Sequence, residues 1–297
     1  MAMRVAWIQD QDPFVTEGGA QLTDRAILQE GIRRGHEIQV IVPTANPEQV
    51  GDIQDLVVFS NAVSVKKETY EDLKKRGIPY VLFPHDYGPY VCRWRLFYPM
   101  EERCQTLCYL RDRWRDIIKQ SAFIFFMSPL HRDAFLFAYP SLAQHPFSYM
   151  PSALPVEKFY DLGKPRNGII TVNSLYPFKG IENIVWWAKE HPAVEITAVG
   201  TRDGIELPPN IKVVEAVPFY KMNALYNAHE ALLHLPTTPQ PCERTVIEAY
   251  LAGCRIIGNG LIGVLSYPWF TSREQVRSEI AAGPDIFWTL LEERFTS

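Results

Sequence analysis

The most suggestive residue in the chain is a lysine standing between a strand-like run and a helix, in Val172-Asn173-Ser174-Leu175-Tyr176-Pro177-Phe178-Lys179-Gly180. An ammonium group there can neutralise a diphosphate, helped by the positive end of the helix that follows. The plain alternative is an exposed loop lysine. Further on, Pro236-Thr237-Thr238-Pro239-Gln240-Pro241-Cys242-Glu243-Arg244-Thr245-Val246-Ile247-Glu248-Ala249 runs from a strand end through a polar loop into a helix that carries Glu248. On its own, Glu248 reads equally well as a surface carboxylate. In the first half, Leu82-Phe83-Pro84-His85-Asp86 puts a histidine and a carboxylate just past a strand end. In open α/β sheets that is the edge where ligands bind. Gly18 and Gly19 follow a loop from Gln9 to Glu17 and read as a turn before a helix; its backbone N–H groups could meet an anion, but a tight turn with no ligand is the plainer reading. The Gly-x-Gly-x-x-Gly fingerprint of dinucleotide enzymes is absent.

The elements that must hold these residues alternate between strand and helix. Arg4 to Ile8 is a short apolar run, and Gln21 to Arg34 has apolar residues at helical spacing before Gly35. Glu37 to Val42, Leu56 to Phe59, Tyr80 to Phe83 and Ala122 to Met127 read as further strands. After a Pro-containing link, roughly Pro151 to Pro165, the plan repeats with strands at Gly168 to Val172, Val194 to Val199, Ile211 to Val214, Ala231 to Leu235 and Arg255 to Ile257, and a helix at Ile181 to Glu190. Such alternation predicts parallel sheets. The expected architecture is α/β with two Rossmann-like domains, residues 1–155 and 165–271, facing a central cleft. Residues 272–297 are expected as one or two helices able to pack back on the first domain.

Composition narrows the function classes. The chain has 297 residues, 47% hydrophobic and 22% charged, which suits folded domains with sizeable cores. A net charge of -4 supplies no global field toward nucleic acid or an anionic bilayer. A local basic and aromatic mixture does occur at Arg93-Trp94-Arg95 and Arg111-Asp112-Arg113-Trp114-Arg115, where a solvated helix face is the preferred reading over stacking on bases. No stretch reads as a signal peptide or membrane span, so a cytoplasmic protein is expected. Five cysteines, an odd number, argue against a secreted disulfide framework. Cys92, Cys104 and Cys108 with His85 fit no standard zinc spacing, and no metal is expected.

In combination these segments resemble the retaining glycosyltransferases of family 4, which have the GT-B fold. The resemblance spans nearly the whole chain. It rests on Gly18-Gly19-Ala20-Gln21 with Gly35-His36-Glu37-Ile38, His85-Asp86, Lys179-Gly180 and Glu248-Ala249-x-x-Ala252-Gly253. It implies that Gly18 and Gly19 approach the donor phosphates and the acceptor, that His85 hydrogen-bonds the reacting sugar, and that Lys179 binds the diphosphate. Glu248, matching the second glutamate of the family's Glu-x7-Glu motif, would hold the ribose hydroxyls, and the preceding loop, with Glu243, Arg244 and Thr245, would contact the donor. Two positions depart from the pattern: the first glutamate of the motif falls on Gln240, and an arginine that accompanies the lysine falls on Ser174. Losing a charge-assisted bond costs about 1.5 to 3 kcal/mol, which Arg202, Arg244 or Glu243 is placed to offset.

The resemblance implies a hexosyl- or pentosyltransferase with a nucleoside diphosphate sugar, such as a UDP-sugar, as donor and no cofactor. The acceptor stays open among a glycan, a lipid-linked glycan and a modified base of nucleic acid, to be chosen by the segment from Asp86 to Arg115. A GT-B-type epimerase or phosphorylase, and a non-catalytic nucleotide-sugar-binding protein, are the rival readings.

Overall fold

The computed structural model describes residues 2–16, 18–42, 47–51, 54–62, 64–87, 109–172, 179–200 and 206–296. Two compact units divide the chain, one made of Met1–Leu154 with Ile280–Ser297 and the other of Pro155–Glu279.

In the first unit the strands are β1 (Arg4–Ile8), β2 (Glu37–Ile41), β3 (Leu56–Ser60), β4 (Tyr80–Phe83), β5 (Phe123–Phe126) and β6 (Phe147–Tyr149). They pair in the order β2-β1-β3-β4-β5-β6, all parallel. The runs Leu-Val-Val-Phe in β3 and Phe-Ile-Phe-Phe in β5 are buried at every position. Unbroken apolar runs of this kind are what a parallel sheet covered on both faces requires. Its helices are α1 (Gly19–Arg33), α2 (Lys67–Arg76), α3 (Tyr109–Gln120) and α4 (Pro129–Ala138). Trp114 of α3 is buried edge-on to Tyr70, with ring centroids 5.6 Å apart. The tryptophan of the arginine-rich segment therefore belongs to the core and offers no stacking surface.

In the second unit β7 (Ile169–Val172), β8 (Ile196–Val199), β9 (Ile211–Val214), β10 (Ala231–His234) and β11 (Arg255–Gly258) form a parallel sheet in the order β11-β10-β7-β8-β9. Its helices are α5 (Ile181–Glu190), α6 (Met222–Asn227) and α7 (Arg244–Leu251).

The last helix, α8 (Arg273–Phe295), is single, although it contains Pro284. Its later residues complete the first unit's core: Phe287 and Trp288 are fully buried. The indole of Trp288 donates to the carbonyl of Ile27 at 2.7 Å. A Cβ built on Gly31 of α1 would lie 2.3 Å from that ring, so only glycine lets the helix face come this close. Arg34 adds ion pairs to Asp285 and to Glu292, the latter at 2.8 Å, and His36 bonds Glu292 at 2.9 Å.

Each sheet has a topological switch point, where consecutive connections leave in opposite directions. It lies between β1 and β3 in the first sheet and between β7 and β10 in the second. The crevice outside the carboxyl ends of such a strand pair is the general ligand position of open α/β sheets.

Candidate active site

The second unit gathers its polar side chains at that position. Lys179 stands between β7 and α5, and its placement is fixed by the residue after it. Gly180 takes a left-handed conformation with φ of 90° and caps α5, and a Cβ there would fall 1.9 Å from the carbonyl oxygen of Leu235, just past β10. No other residue type fits both constraints. From this turn the Lys179 ammonium donates to Gln240 Oε1 and to Glu243 Oε1, each at 2.9 Å. An ammonium has three N–H groups, so one remains for an anion. Lys179 is therefore an anchored cation, not a solvated loop lysine.

Glu243 precedes α7 and turns its carboxylate to Lys179 and to His234, the last residue of β10, whose Nε2 lies 3.7 Å from Oε2. Burial by itself would raise the Glu243 carboxyl, but the Lys179 ammonium and His234 outweigh it and hold the group down to about 2. Gln240 is buried, and its amide donates to the carbonyl and the hydroxyl of Thr238 at 3.0 and 2.8 Å. Gln240 and Glu243 thus share one lysine. The carboxylate that is missing at position 240 is present at position 243.

One turn into α7 is the second carboxylate. Glu248 is buried, which excludes the surface reading, and it accepts from Arg244 Nε at 2.7 Å and from the Tyr226 hydroxyl at 3.2 Å. Burial raises the Glu248 carboxyl, with Arg244 and Tyr226 opposing the rise. Burial likewise pushes the Tyr226 phenol well above its ordinary value, reinforced by Glu248. Each Glu248 oxygen keeps a second lone pair for a further donor. The Arg244 guanidinium lies over the Phe219 ring, 5.1 Å from its centroid. Thr245 sits beside it in the first turn of α7.

The first unit has its own polar cluster at the carboxyl edge of its sheet. His85, just past β4, places Nε2 at 2.8 Å from Asp24 Oδ1 and 3.0 Å from Ser60 Oγ. Ser60 ends β3 and its hydroxyl lies 2.8 Å from both Asp24 oxygens. Asp24 and Ser60 are fully buried, and the His85 ring packs on Phe83 at 4.3 Å between centroids. Nearby, His131 in the first turn of α4 accepts at Nδ1 from the Met127 amide at 3.1 Å, and burial pushes it down to about 3. Gly18 and Gly19 do not make the expected turn. Gly18 is the extended residue before α1, with φ of −87°, and Gly19 is the first residue of the helix. A Cβ on Gly19 would meet nothing within 4 Å, so the protein's own packing does not require glycine there.

Sequence reasoning missed Asp24, Ser60, His234 and Tyr226. Asp24 was detectable as a carboxylate set on the buried stripe of α1, between Gln21 and Ile27. His234 was detectable as a polar end to the apolar run Ala-Leu-Leu. Ser174, Arg202, Arg93 to Arg95, Cys92, Cys104 and Cys108 lie outside the described residues. No group of three or more metal-ligating side chains occurs among the described residues, and no helix among them is long and apolar enough to cross a membrane.

Solved structures match this chain along its whole length. Sucrose-phosphate synthase from Thermosynechococcus elongatus superposes with a TM-score of 0.71 at 14% identity, covering 99% of each chain. The chain has the GT-B fold. Anabaena HepE, solved with UDP and glucose, matches with a TM-score of 0.59 at 14% identity over 99% of this chain and 95% of that one. An alpha-glucosyltransferase solved with UDP and a 13-mer DNA containing an HMU base matches with a TM-score of 0.60 at 12% identity over all of both chains. No protein-family model and no curated protein sequence matches. The GT-B likeness is thus carried by backbone architecture, at identities too low to transfer an activity.

Proposed function

We propose that the chain is a glycosyltransferase that takes a hexose or pentose from a nucleoside diphosphate sugar, UDP-linked in the first instance, and passes it to an acceptor hydroxyl with retention of configuration. The observation that carries this reading is the anchored Lys179 at the second sheet's switch point, with one N–H unspent and the amino end of α5 beside it. That combination suits a leaving diphosphate, whose charge grows as the glycosidic bond breaks. Glu248, with free lone pairs on a buried carboxylate, is given the ribose hydroxyls, and Arg244 and Thr245 the flanking donor contacts. Gln240 and Glu243 hold the lysine and are given the sugar. His85 is given a hydroxyl of the substrate, and Gly18 and Gly19 close approach of the phosphates and acceptor.

Positive charge for the leaving group then comes from protein, so turnover is expected to survive chelators. Among the structural relatives, the one solved with an HMU-containing DNA acts as a reminder that a modified base belongs among the acceptors to be screened, together with glycans and lipid-linked glycans. The test is turnover of radiolabelled UDP-sugars by the purified protein across such acceptors. Transfer, or slow donor hydrolysis lost in Lys179→Ala, supports the reading. Tight donor binding without any turnover makes the protein a nucleotide-sugar-binding module, consistent with a neutral Gln240 in place of a carboxylate. An isomerised donor sugar makes it an epimerase.

A further inference from the structure

The three-residue cluster beneath His85 fixes more than its position. Asp24, as a carboxylate, has only acceptor sites, and the one hydroxyl proton of Ser60 is engaged by its two oxygens, both at 2.8 Å. The ring nitrogen 2.8 Å from Asp24 and 3.0 Å from Ser60 Oγ must therefore carry a hydrogen and share it between those acceptors. Which nitrogen of a histidine is protonated is set by the bond the other one makes. With the proton on Nε2, the neutral ring has its lone pair on Nδ1. The burial of Asp24 and Ser60 strengthens this bias, because a charge-assisted hydrogen bond shielded from water has no competing partner.

We infer that Asp24 and Ser60 are positioning residues that hold His85 as the Nε2–H tautomer, so that Nδ1 meets the substrate as a hydrogen-bond acceptor from a hydroxyl. This rests on the transferase reading and specifies the polarity of one of its contacts. His85 would then favour a hydroxylated substrate group over a phosphate oxygen, which can only accept. It would also leave phosphate binding to Lys179.

Two measurements test it. Nitrogen-15 spectra of the free protein, with His85 assigned by comparison with His85→Gln, report the protonation of each ring nitrogen without any substrate. A pyridine-like Nδ1 and a pyrrole-like Nε2 are expected. A protonated Nδ1, whether in the other tautomer or in an imidazolium, overturns the inference. Steady-state kinetics of Asp24→Asn and Ser60→Ala supply the second measurement. Loss of the charge-assisted bond is expected to lower kcat of Asp24→Asn roughly 10- to 100-fold with donor KM changed less than about threefold. Ser60→Ala, which deletes one neutral partner, is expected to lose less, about 3- to 10-fold. It also serves if the Asn variant folds poorly. Unchanged kcat in both variants overturns the positioning role even where the tautomer is as expected. A protein that neither binds nor turns over any UDP-sugar defeats the transferase reading and the Nδ1 contact with it, while the spectrum still reports the tautomer.

Discussion

Replacing Lys179 by Met keeps the aliphatic stem and deletes the charge that Glu243 depends on. Glu243 lies at about 2 against an ordinary 4.5. At about 1.4 kcal/mol per pH unit, that difference corresponds to about 3 kcal/mol of preferential stabilisation of the ionised carboxylate in the folded chain. The depression is a net result: burial opposes it, and Lys179 is the larger attraction, ahead of His234. Lys179→Met is therefore expected to cost about 2 to 3 kcal/mol near neutral pH, at or below the lower edge of what removing one partner of a fully buried pair costs, because the Lys179 side chain is 26% exposed. The sign of the pH dependence follows. A depressed carboxyl contributes stability that is complete above 4.5 and is lost as pH falls from there toward about 2. The gap between wild type and variant should thus be full near pH 7 and shrink progressively below about pH 4.5. Urea unfolding of both proteins, followed by tryptophan fluorescence at about pH 7 and about pH 3.5, measures it. A gap of the same size at both pH values, or a variant as stable as wild type at neutrality, refutes the coupling between these two side chains.

Other substitutions test the framework around the site. Gly180→Ala forces a Cβ into the carbonyl of Leu235 at a left-handed residue, and is expected to destabilise by at least about 2 kcal/mol and to abolish donor binding, read by thermal shift with and without UDP. Trp288→Ala, which empties a fully buried site and removes the bond to Ile27, is expected to cost about 3 to 5 kcal/mol in urea unfolding without touching the polar clusters. Burial pushes the Cys254 thiol up to about 11, so peptide mapping after iodoacetamide treatment near pH 8 should find Cys254 unmodified in the native protein and modified after unfolding.

Much of the sheet framework was legible because parallel strands buried on both faces are written as unbroken apolar runs. Tyr80–Phe83, buried at every position, shows as a strand at its observed bounds, and Ile181–Glu190 as a helix; the edge strand Ile211–Val214 also shows at its bounds, although it carries Lys212 and is exposed at three of its four positions. β6, Phe147–Tyr149, was not legible: it is three residues long and half-buried throughout, with no periodicity to announce it. The α8 helix reads in sequence as one helix or two because Pro284 would ordinarily interrupt it, whereas the packing of Phe287 and Trp288 beyond the proline keeps it continuous. At the site, Lys179, Gln240, Glu243 and Glu248 could be singled out because they flank strand ends and helix starts, and the fold brings Gln240 and Glu243 onto the Lys179 ammonium. Which carboxylate answers the lysine could not be read from spacing, because it depends on how the loop from Pro236 to Glu243 turns back toward Gly180. Asp24 was hidden for a different reason. A buried charge on a helix stripe looks like an ordinary amphipathic interruption until a partner such as His85, distant in sequence, is brought to it by the sheet.

Calorimetric titration of UDP into wild type, Lys179→Ala and Glu248→Ala tests most directly whether Lys179 and Glu248 grip a nucleoside diphosphate. The expected result is saturable one-to-one binding by the wild type, weakened roughly 10- to 100-fold in each variant, the loss anticipated for one charge-assisted hydrogen bond. Equal affinity in all three proteins, or no heat of binding in the wild type, would contradict it.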